Sequence, residues 1–314
     1  APAPGPAPAR APMRVAITGA TGFVGHHIAR HLIASGHKVV ALGRRPSLHP
    51  EAAFAPFDLE GEVPDLSGQD VLVHAALSHV PGRYRGGEGA APEAFLRRNL
   101  AGTVRLFETA RRCGVPRILF LSSRAVYGDY PPGTPLPETL PPRPDTLYGA
   151  VKLRAETALA AMAGPGLAVA SLRATGVCGP AVPGLAHKWA GLLLDYAHGK
   201  PIAPRVASEV HVDDLAEAVR CLALAPPEAL APAVFNVTGP LLDRHDLLRA
   251  YARMAGIGHP LPPRADPRLV SVMRTERLQR LGWRPSPSLR LPQILASLRR
   301  DQADPGNAAP PDEA

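Results

Sequence analysis

The chain has 314 residues, 46% of them hydrophobic and 20% charged, which leaves room for two domains, or one with a built-on lobe, and excludes disorder throughout. Its net charge of +8 rests on 35 basic residues, of which only Lys38, Lys152, Lys188 and Lys200 are lysines; the arginines are scattered, so the charge suits an anionic small ligand and not a nucleic-acid surface. No apolar run approaches the length of about 18 residues that a membrane span needs, and Cys113, Cys178 and Cys221, an odd number without a CxxC pair, point to a reducing, cytoplasmic setting with no disulfide framework and no metal cluster.

The Ala/Pro stretch before Met13 holds no apolar signal core and is expected to be a disordered leader. Arg14 to Thr18 is a short β-branched run that meets a glycine cluster and then a helical pattern over 23–35, with Val24, Ile28 and Leu32 on one face and Gly36 as the stop. A strand follows over 38–42, then a strand over 71–75, a helix over 92–113 carrying Phe95, Leu100, Val104, Leu106 and Phe107, and an apolar strand over 117–121. This alternation predicts a parallel sheet covered on both faces, an α/β, Rossmann-type doubly wound fold. The run of prolines from Pro131 to Pro144 excludes regular structure there. Tyr148 then opens a helix over 148–163, and 167–172 reads as a strand. Beyond Ala174 the alternation weakens, and short helices are expected in preference to strands until 234–237. A smaller substrate-binding lobe is placed over 174–303, with segments near 207–237 returning to the sheet, and 304–314 reads as a disordered tail.

Gly19, Gly22 and Gly25 stand between the first strand and the first helix. Glycine there permits a tight turn and lets the backbone approach a pyrophosphate, whose charge the helix N-terminus meets. An ordinary strand-helix turn is the plain alternative. Placement at the head of a βαβ unit favours a dinucleotide, and 13–173 is read as its binding domain. At the end of the second strand a carboxylate would accept the ribose hydroxyls, but the chain has Gly43-Arg44-Arg45. Two guanidinium groups suit a 2′-phosphate and predict NADP(H) as cofactor.

Tyr148 and Lys152 lie four residues apart and so on one helix face. A free phenol, with a pKa of about 10, is a poor base at neutral pH; lowering it by about three units needs roughly 4 kcal/mol, within reach of an adjacent cation in a dry site. Ser122 and Ser123 follow an apolar strand, at the carboxyl edge where parallel sheets bind ligands. A hydroxyl there can hold a substrate oxygen while Tyr148 exchanges the proton.

With these motifs the chain resembles the extended short-chain dehydrogenases/reductases, the group that includes the NAD-dependent epimerases and dehydratases. The likeness runs from about Met13 to Trp283. It passes through TGATGFVG, Asp58, Val73 to Ala76, Asn99 with Gly102-Thr103, SSRAVYG, YGAVK, Leu172-Arg173, Gly179-Pro180, VHVDD, FNVTG and LGW. The resemblance implies that Tyr148 is the general acid/base, that Lys152 holds the nicotinamide ribose and depresses the phenol, and that Ser123 hydrogen-bonds the reacting oxygen. The cofactor contacts it implies are Gly19, Thr21, Gly22, Phe23, Val24 and Gly25 in the turn, Arg44 and Arg45 beside it, and Asp58 and Leu59 near the adenine. Ala75, Ala76, Leu77 and Asn99 would line the cleft, together with Lys152, Thr175 and Val177.

Departures narrow the reaction. Nucleotide-sugar members often carry Asn in the position of Gly176 and an Arg in that of Ala207, with Arg173, Arg205 and Arg264 as substitutes here. Dehydratases follow their active-site hydroxyl with an Asp-Glu pair, where this chain has Arg124-Ala125. The expected activity is NADPH-dependent reduction of a ketone on a sugar or natural product, a ketoreductase. The alternatives are a nucleotide-sugar epimerase and a non-catalytic NADP-binding regulator. The resemblance is compatible with a homodimer through the helices at 92–113 and 148–163.

Overall fold

A computed structural model of the chain describes residues 11–79 and 91–303. The expected tail, and the leader up to residue 10, lie outside the described residues. In chain order the elements are β1 (Arg14–Thr18), α1 (Phe23–Ala34), β2 (Lys38–Gly43), β3 (Ala53–Pro56), β4 (Val71–His74), α2 (Pro92–Leu96), a π-helical turn (Arg97–Ala101), α3 (Gly102–Arg112), β5 (Arg117–Ser123) and α4 (Leu147–Met162). They continue as β6 (Ala168–Ala174), β7 (Gly176–Cys178), α5 (Ala190–Ala197), β8 (Val206–His211), α6 (Val212–Leu224), β9 (Val234–Val237), β10 (Leu241–Asp243), α7 (Arg244–Ala255), α8 (Glu276–Arg280) and α9 (Leu291–Ala303).

The main sheet is parallel and seven-stranded, in the order β3-β2-β1-β4-β5-β6-β9. Its strands are apolar on both sides because both faces are covered. Val15, Ile17, Val71, Val73, Leu119 and Leu121 pack with Ile28 and Leu32 of α1 and Leu215, Val219 and Leu222 of α6. Their neighbours Ala16, Leu72, Ile118 and Phe120 point the other way, onto Leu106 and Phe107 of α3 and Ala155 and Leu159 of α4. Successive strand residues face opposite layers, so a continuous apolar run is what a doubly covered strand requires. The direction of strand progression reverses at β1/β4, and the carboxyl edge at such a reversal is where open parallel sheets bind ligands.

Two expectations are corrected. The helix read as continuous over 92–113 is interrupted by the π turn at 97–101; one extra residue per turn rotates the side chains that follow. Between 174 and 234 the chain forms the strands β7 and β8 as well as the helices α5 and α6: β7 and β8 pair in parallel, β10 from further along the chain joins β8 antiparallel, and together they make a second, three-stranded sheet. Of the segments near 207–237, β9 returns to the main sheet beside β6, whereas β8 does not. No helix among the described residues is long and apolar enough to cross a membrane.

Candidate functional site

Three loops meet at the carboxyl edge around β1 and β4. The first is the glycine turn. Gly19 has φ +73, and a Cβ there would stand 2.9 Å from the Ala76 amide nitrogen; one on Gly25 would stand 2.1 Å from the Gly19 carbonyl oxygen. A side chain at Gly19 would drive the turn off the backbone that follows β4, and one at Gly25 would push α1 off the turn. Gly22 is the residue that caps the start of α1 and offers no side chain to do so, which leaves the first helical N–H groups for an anion. An uncapped N-terminus over a turn this tight fits a pyrophosphate, with Thr21, Phe23 and Val24 in the same segment.

Beneath this turn lies a clamp that the sequence did not reveal. Thr18 Oγ1 accepts the amides of Ala75 at 3.2 Å and Ala76 at 3.1 Å and contacts His74 Nδ1 at 2.7 Å; His74 Nε2 contacts Thr103 Oγ1 at 2.8 Å. With its lone pairs taken by two amides, the Thr18 hydroxyl donates to Nδ1, and the neutral imidazole carries its proton on Nε2. Burial pushes His74 down to about 3 and keeps it neutral. The clamp joins β1, β4 and α3 and sets the course of Ala75, Ala76 and Leu77. Asn99, in the π turn, donates to the carbonyls of Ser78 at 2.8 Å and Phe95 at 3.0 Å and accepts the Ser78 amide at 2.7 Å. It therefore fixes the backbone beside the cleft.

Arg44 and Arg45 follow β2 and are exposed. Arg44 Nε lies 3.9 Å from Asp58 Oδ2, so Arg44 and Asp58 share one rim, with Leu59 buried behind it. The loop beyond the arginines is tied to α1, since the rings of His49 and His26 stack at 4.4 Å and His49 Nε2 lies 3.0 Å from the His26 carbonyl oxygen.

Ser123, Tyr148 and Lys152 come together at the end of β5. Ser123 Oγ accepts the Ala125 amide at 3.1 Å, which leaves its proton for another acceptor. Thr146 caps α4 by accepting the Gly149 amide at 3.1 Å. A Cβ on Gly149 would be 2.4 Å from the Ala125 carbonyl oxygen; the helix start that carries Tyr148 is thus seated directly on the turn that carries Ser123. Lys152 is buried, its Nζ donates to the Leu121 carbonyl at 2.6 Å, and it lies 5.9 Å from the Tyr148 ring centroid. Burial pulls it down to about 8, against the opposing pull of Glu156. An ammonium held dry beside a phenol favours the phenolate.

Gly176 begins β7 two residues beyond Ala174, the register partner of Ser123. Thr175, just before it, is buried, and Val177, just after it, is half-buried. Gly176 is exposed, but the Glu209 carboxylate lies against it: a Cβ there would be 2.7 Å from Oε1. Lys188 pairs with that carboxylate. Two of the arginines named as anion-binding substitutes are engaged elsewhere, Arg173 with Glu156 and Arg264 with Asp246. Lys188 and Glu209 are the charged groups at this position, and sequence spacing gives no sign of their pairing.

Residues 15–238 match the NAD dependent epimerase/dehydratase family. A UDP-glucose 4-epimerase of Streptomyces lividans is 30% identical, over 86% of this chain and 91% of that protein. A dTDP-6-deoxy-L-talose 4-dehydrogenase (NAD(P)(+)) of Kitasatospora kifunensis is also 30% identical, over 90% of this chain and 94% of its own length. Among solved structures, the Thermus thermophilus UDP-glucose 4-epimerase in complex with NAD superposes with a TM-score of 0.73 at 28% identity, covering 91% of this chain and 99% of that one.

Proposed function

Because the chain belongs to the NAD dependent epimerase/dehydratase family, we propose that it is an enzyme that interconverts a carbinol and a carbonyl on a nucleotide-linked sugar, with epimerisation as the overall reaction. A nicotinamide dinucleotide, when bound, supplies the donor and acceptor of hydride for the substrate carbon. The protein manages the proton. Tyr148 Oη, as a phenolate, takes it from the substrate hydroxyl and, as a phenol, returns it; Ser123 Oγ donates a hydrogen bond to the same oxygen, and the Lys152 ammonium favours the phenolate that begins and ends the cycle. The glycine turn, the uncapped start of α1 and the rim of Arg44, Arg45 and Asp58 would hold the dinucleotide.

The observation that supports this reading is the seating of the start of α4, which carries Tyr148, on the turn after Ser123, with the Lys152 ammonium bound to the Leu121 carbonyl and Ser123 Oγ to the Ala125 amide. The Streptomyces lividans relative and the Thermus thermophilus structure both bear the name of a UDP-glucose 4-epimerase, which supports epimerisation over the ketoreductase expected from sequence; the name of the Kitasatospora kifunensis relative, a 4-dehydrogenase, supports net redox chemistry on the same class of substrate. Net reduction of a keto-sugar with NADPH is the second reading, favoured by Arg44 and Arg45.

The test incubates the purified protein with UDP-glucose or UDP-galactose without added cofactor, and separately with NADPH and a 4-keto sugar nucleotide. Interconversion in the first assay supports epimerisation; NADPH consumption confined to the second supports net reduction. In either, Tyr148→Phe keeps the ring and removes the proton carrier, so turnover should fall by about 10²–10⁴-fold while dinucleotide affinity persists. Near-full activity in Tyr148→Phe would overturn the mechanism.

A further inference from the structure

Beneath the strand end that carries Ser123 lies a buried acid that the proton transfer described above does not use. Glu156 stands one helical turn beyond Lys152 on α4, on the face that carries Tyr148. It and Arg173 of β6 are each 4% exposed and pair at 2.7 Å between Nη2 and Oε2, with Arg173 Nε adding contacts of 3.1 and 3.2 Å. Ser122 Oγ donates to the other carboxylate oxygen, Oε1. The arginine in turn covers the Tyr127 ring at 4.8 Å, and the Tyr127 hydroxyl donates to Asn236 Oδ1 at 2.9 Å. One carboxylate therefore ties α4 to β5 and β6, and through Arg173 to β9. A buried pair of this kind contributes little net stability, because desolvating two charges offsets their attraction. Its position is the informative property.

The groups facing Lys152 come from each element packed around it. They are Tyr148 and Glu156 on α4, the Phe120 ring at 4.7 Å and the Leu121 carbonyl on β5, and His74 on β4. Arg173 on β6 stands behind Glu156. His74 is neutral, and Glu156 is the one carboxylate among these groups. Arg173 binds it directly, and Lys152 stands one turn before it on α4, the two side chains being held on neighbouring residues of β5, by the Ser122 hydroxyl and the Leu121 carbonyl; burial lowers the lysine and the carboxylate opposes that pull.

Building on the function proposed above, we propose that Glu156 is a positioning residue for the proton transfer: its carboxylate, bound by Ser122 and Arg173, holds Lys152 as an ammonium against Tyr148 and couples that charge to the strand end carrying Ser123. A neutral Lys152 would leave the phenolate without its cation, and a carboxylate free to rotate would loosen Ser122 and, with it, the hydroxyl next in sequence.

The chain has only four lysines, which makes a direct test available without substrate or cofactor. Protein made with isotope-labelled lysine is titrated by NMR, and the Lys152 signal is identified by its loss in Lys152→Arg. The wild-type midpoint should lie at about 8. In Glu156→Gln, which removes the anion and bares Arg173, it should fall by about one to three units, the effect of a close opposite charge. Glu156→Gln/Arg173→Gln leaves no bare ion and should fall by less; it also provides a folded protein should the single variant fail to fold. A midpoint equal to wild type in whichever variant folds overturns the proposal, since a purely structural tie would not move it. Tyr148→Phe separates this from the reading beneath it. Full activity in Tyr148→Phe removes the proton transfer by Tyr148 on which this proposal rests, whereas an inactive Tyr148→Phe together with a Lys152 midpoint unmoved by Glu156→Gln removes only the role of Glu156.

Discussion

Arg44 is 78% exposed at its side chain and touches Asp58 only at 3.9 Å; its guanidinium fork remains available to an incoming phosphate. Such an exposed, long-range pair contributes little to stability, so Arg44→Ala/Arg45→Ala should leave the melting temperature unchanged. Removing a charge-assisted phosphate contact should weaken NADP⁺ binding by about 1.5–3 kcal/mol, roughly ten- to a hundredfold, with little effect on NAD⁺. Parallel titrations of both nucleotides measure this; equal losses for the two would remove the assignment of the 2′-phosphate to these arginines. At this scale the sequence was most readable where chemistry is local. Tyr148 and Lys152 are set by helix spacing, and Gly19 and Gly25 by a turn of a few residues. His74 and Glu156 were not readable, because their meaning depends on partners on other elements, Thr18 and Thr103 for one and Ser122 and Arg173 for the other. The available signal was a histidine in an otherwise apolar strand and an acid one turn beyond the lysine.

The start of α4 transmits the geometry of β5 to the phenol, and Gly149 is its point of contact. Gly149→Ala would place a Cβ 2.4 Å from the Ala125 carbonyl oxygen, forcing the helix start away from the turn. A cost of about 1–3 kcal/mol is expected from such overpacking, together with a loss of turnover larger than any loss of nucleotide affinity. Gly191 in α5 is the control: nothing lies within 4 Å of a Cβ built there, so Gly191→Ala should be neutral or stabilising by up to about 1 kcal/mol. Thermal melts and single-turnover rates on both variants decide it, and equal effects would show that crowding at Ala125 is not the cause. Long periodic elements such as α1, α4 and β5 were legible in the sequence. The strands β7 and β10, three residues each, were not, because so short a segment displays no period. The edge strand β3, four mostly exposed residues of sequence AFAP, is built mainly from Ala and Pro, which are poor strand formers, and the π turn is invisible to a pattern built on α-helical spacing.

Across the whole molecule, several histidines are held neutral by burial. His74 is pushed down from 6.5 to about 3, and His26 and His27 to about 4. Each binds a proton in the unfolded chain below about pH 6.5 but not in the folded one, so their contribution is present above that pH and is lost as pH falls toward the folded values. Stability should therefore decline between pH 6.5 and 4.5, before most carboxylates titrate. His74→Gln should be less stable at pH 7 and should show a flatter decline, by roughly 1.4 kcal/mol per pH unit. Denaturant melts at several pH values measure the slopes; parallel slopes for wild type and variant would exclude His74 as a source.

The core of the second lobe joins Trp189, Leu193 and Tyr196 to Leu247, Leu248, Ile294 and Leu295, although β9, which completes the main sheet, lies between them in the chain. Translation at about 5–20 residues per second means that the first group leaves the ribosome roughly 5–20 s before the last. During that interval the sheet can close while the lobe shows an unfinished apolar face. A nascent chain halted after β10 would carry all seven strands of the main sheet and fewer than half of the buried residues that close the lobe's core.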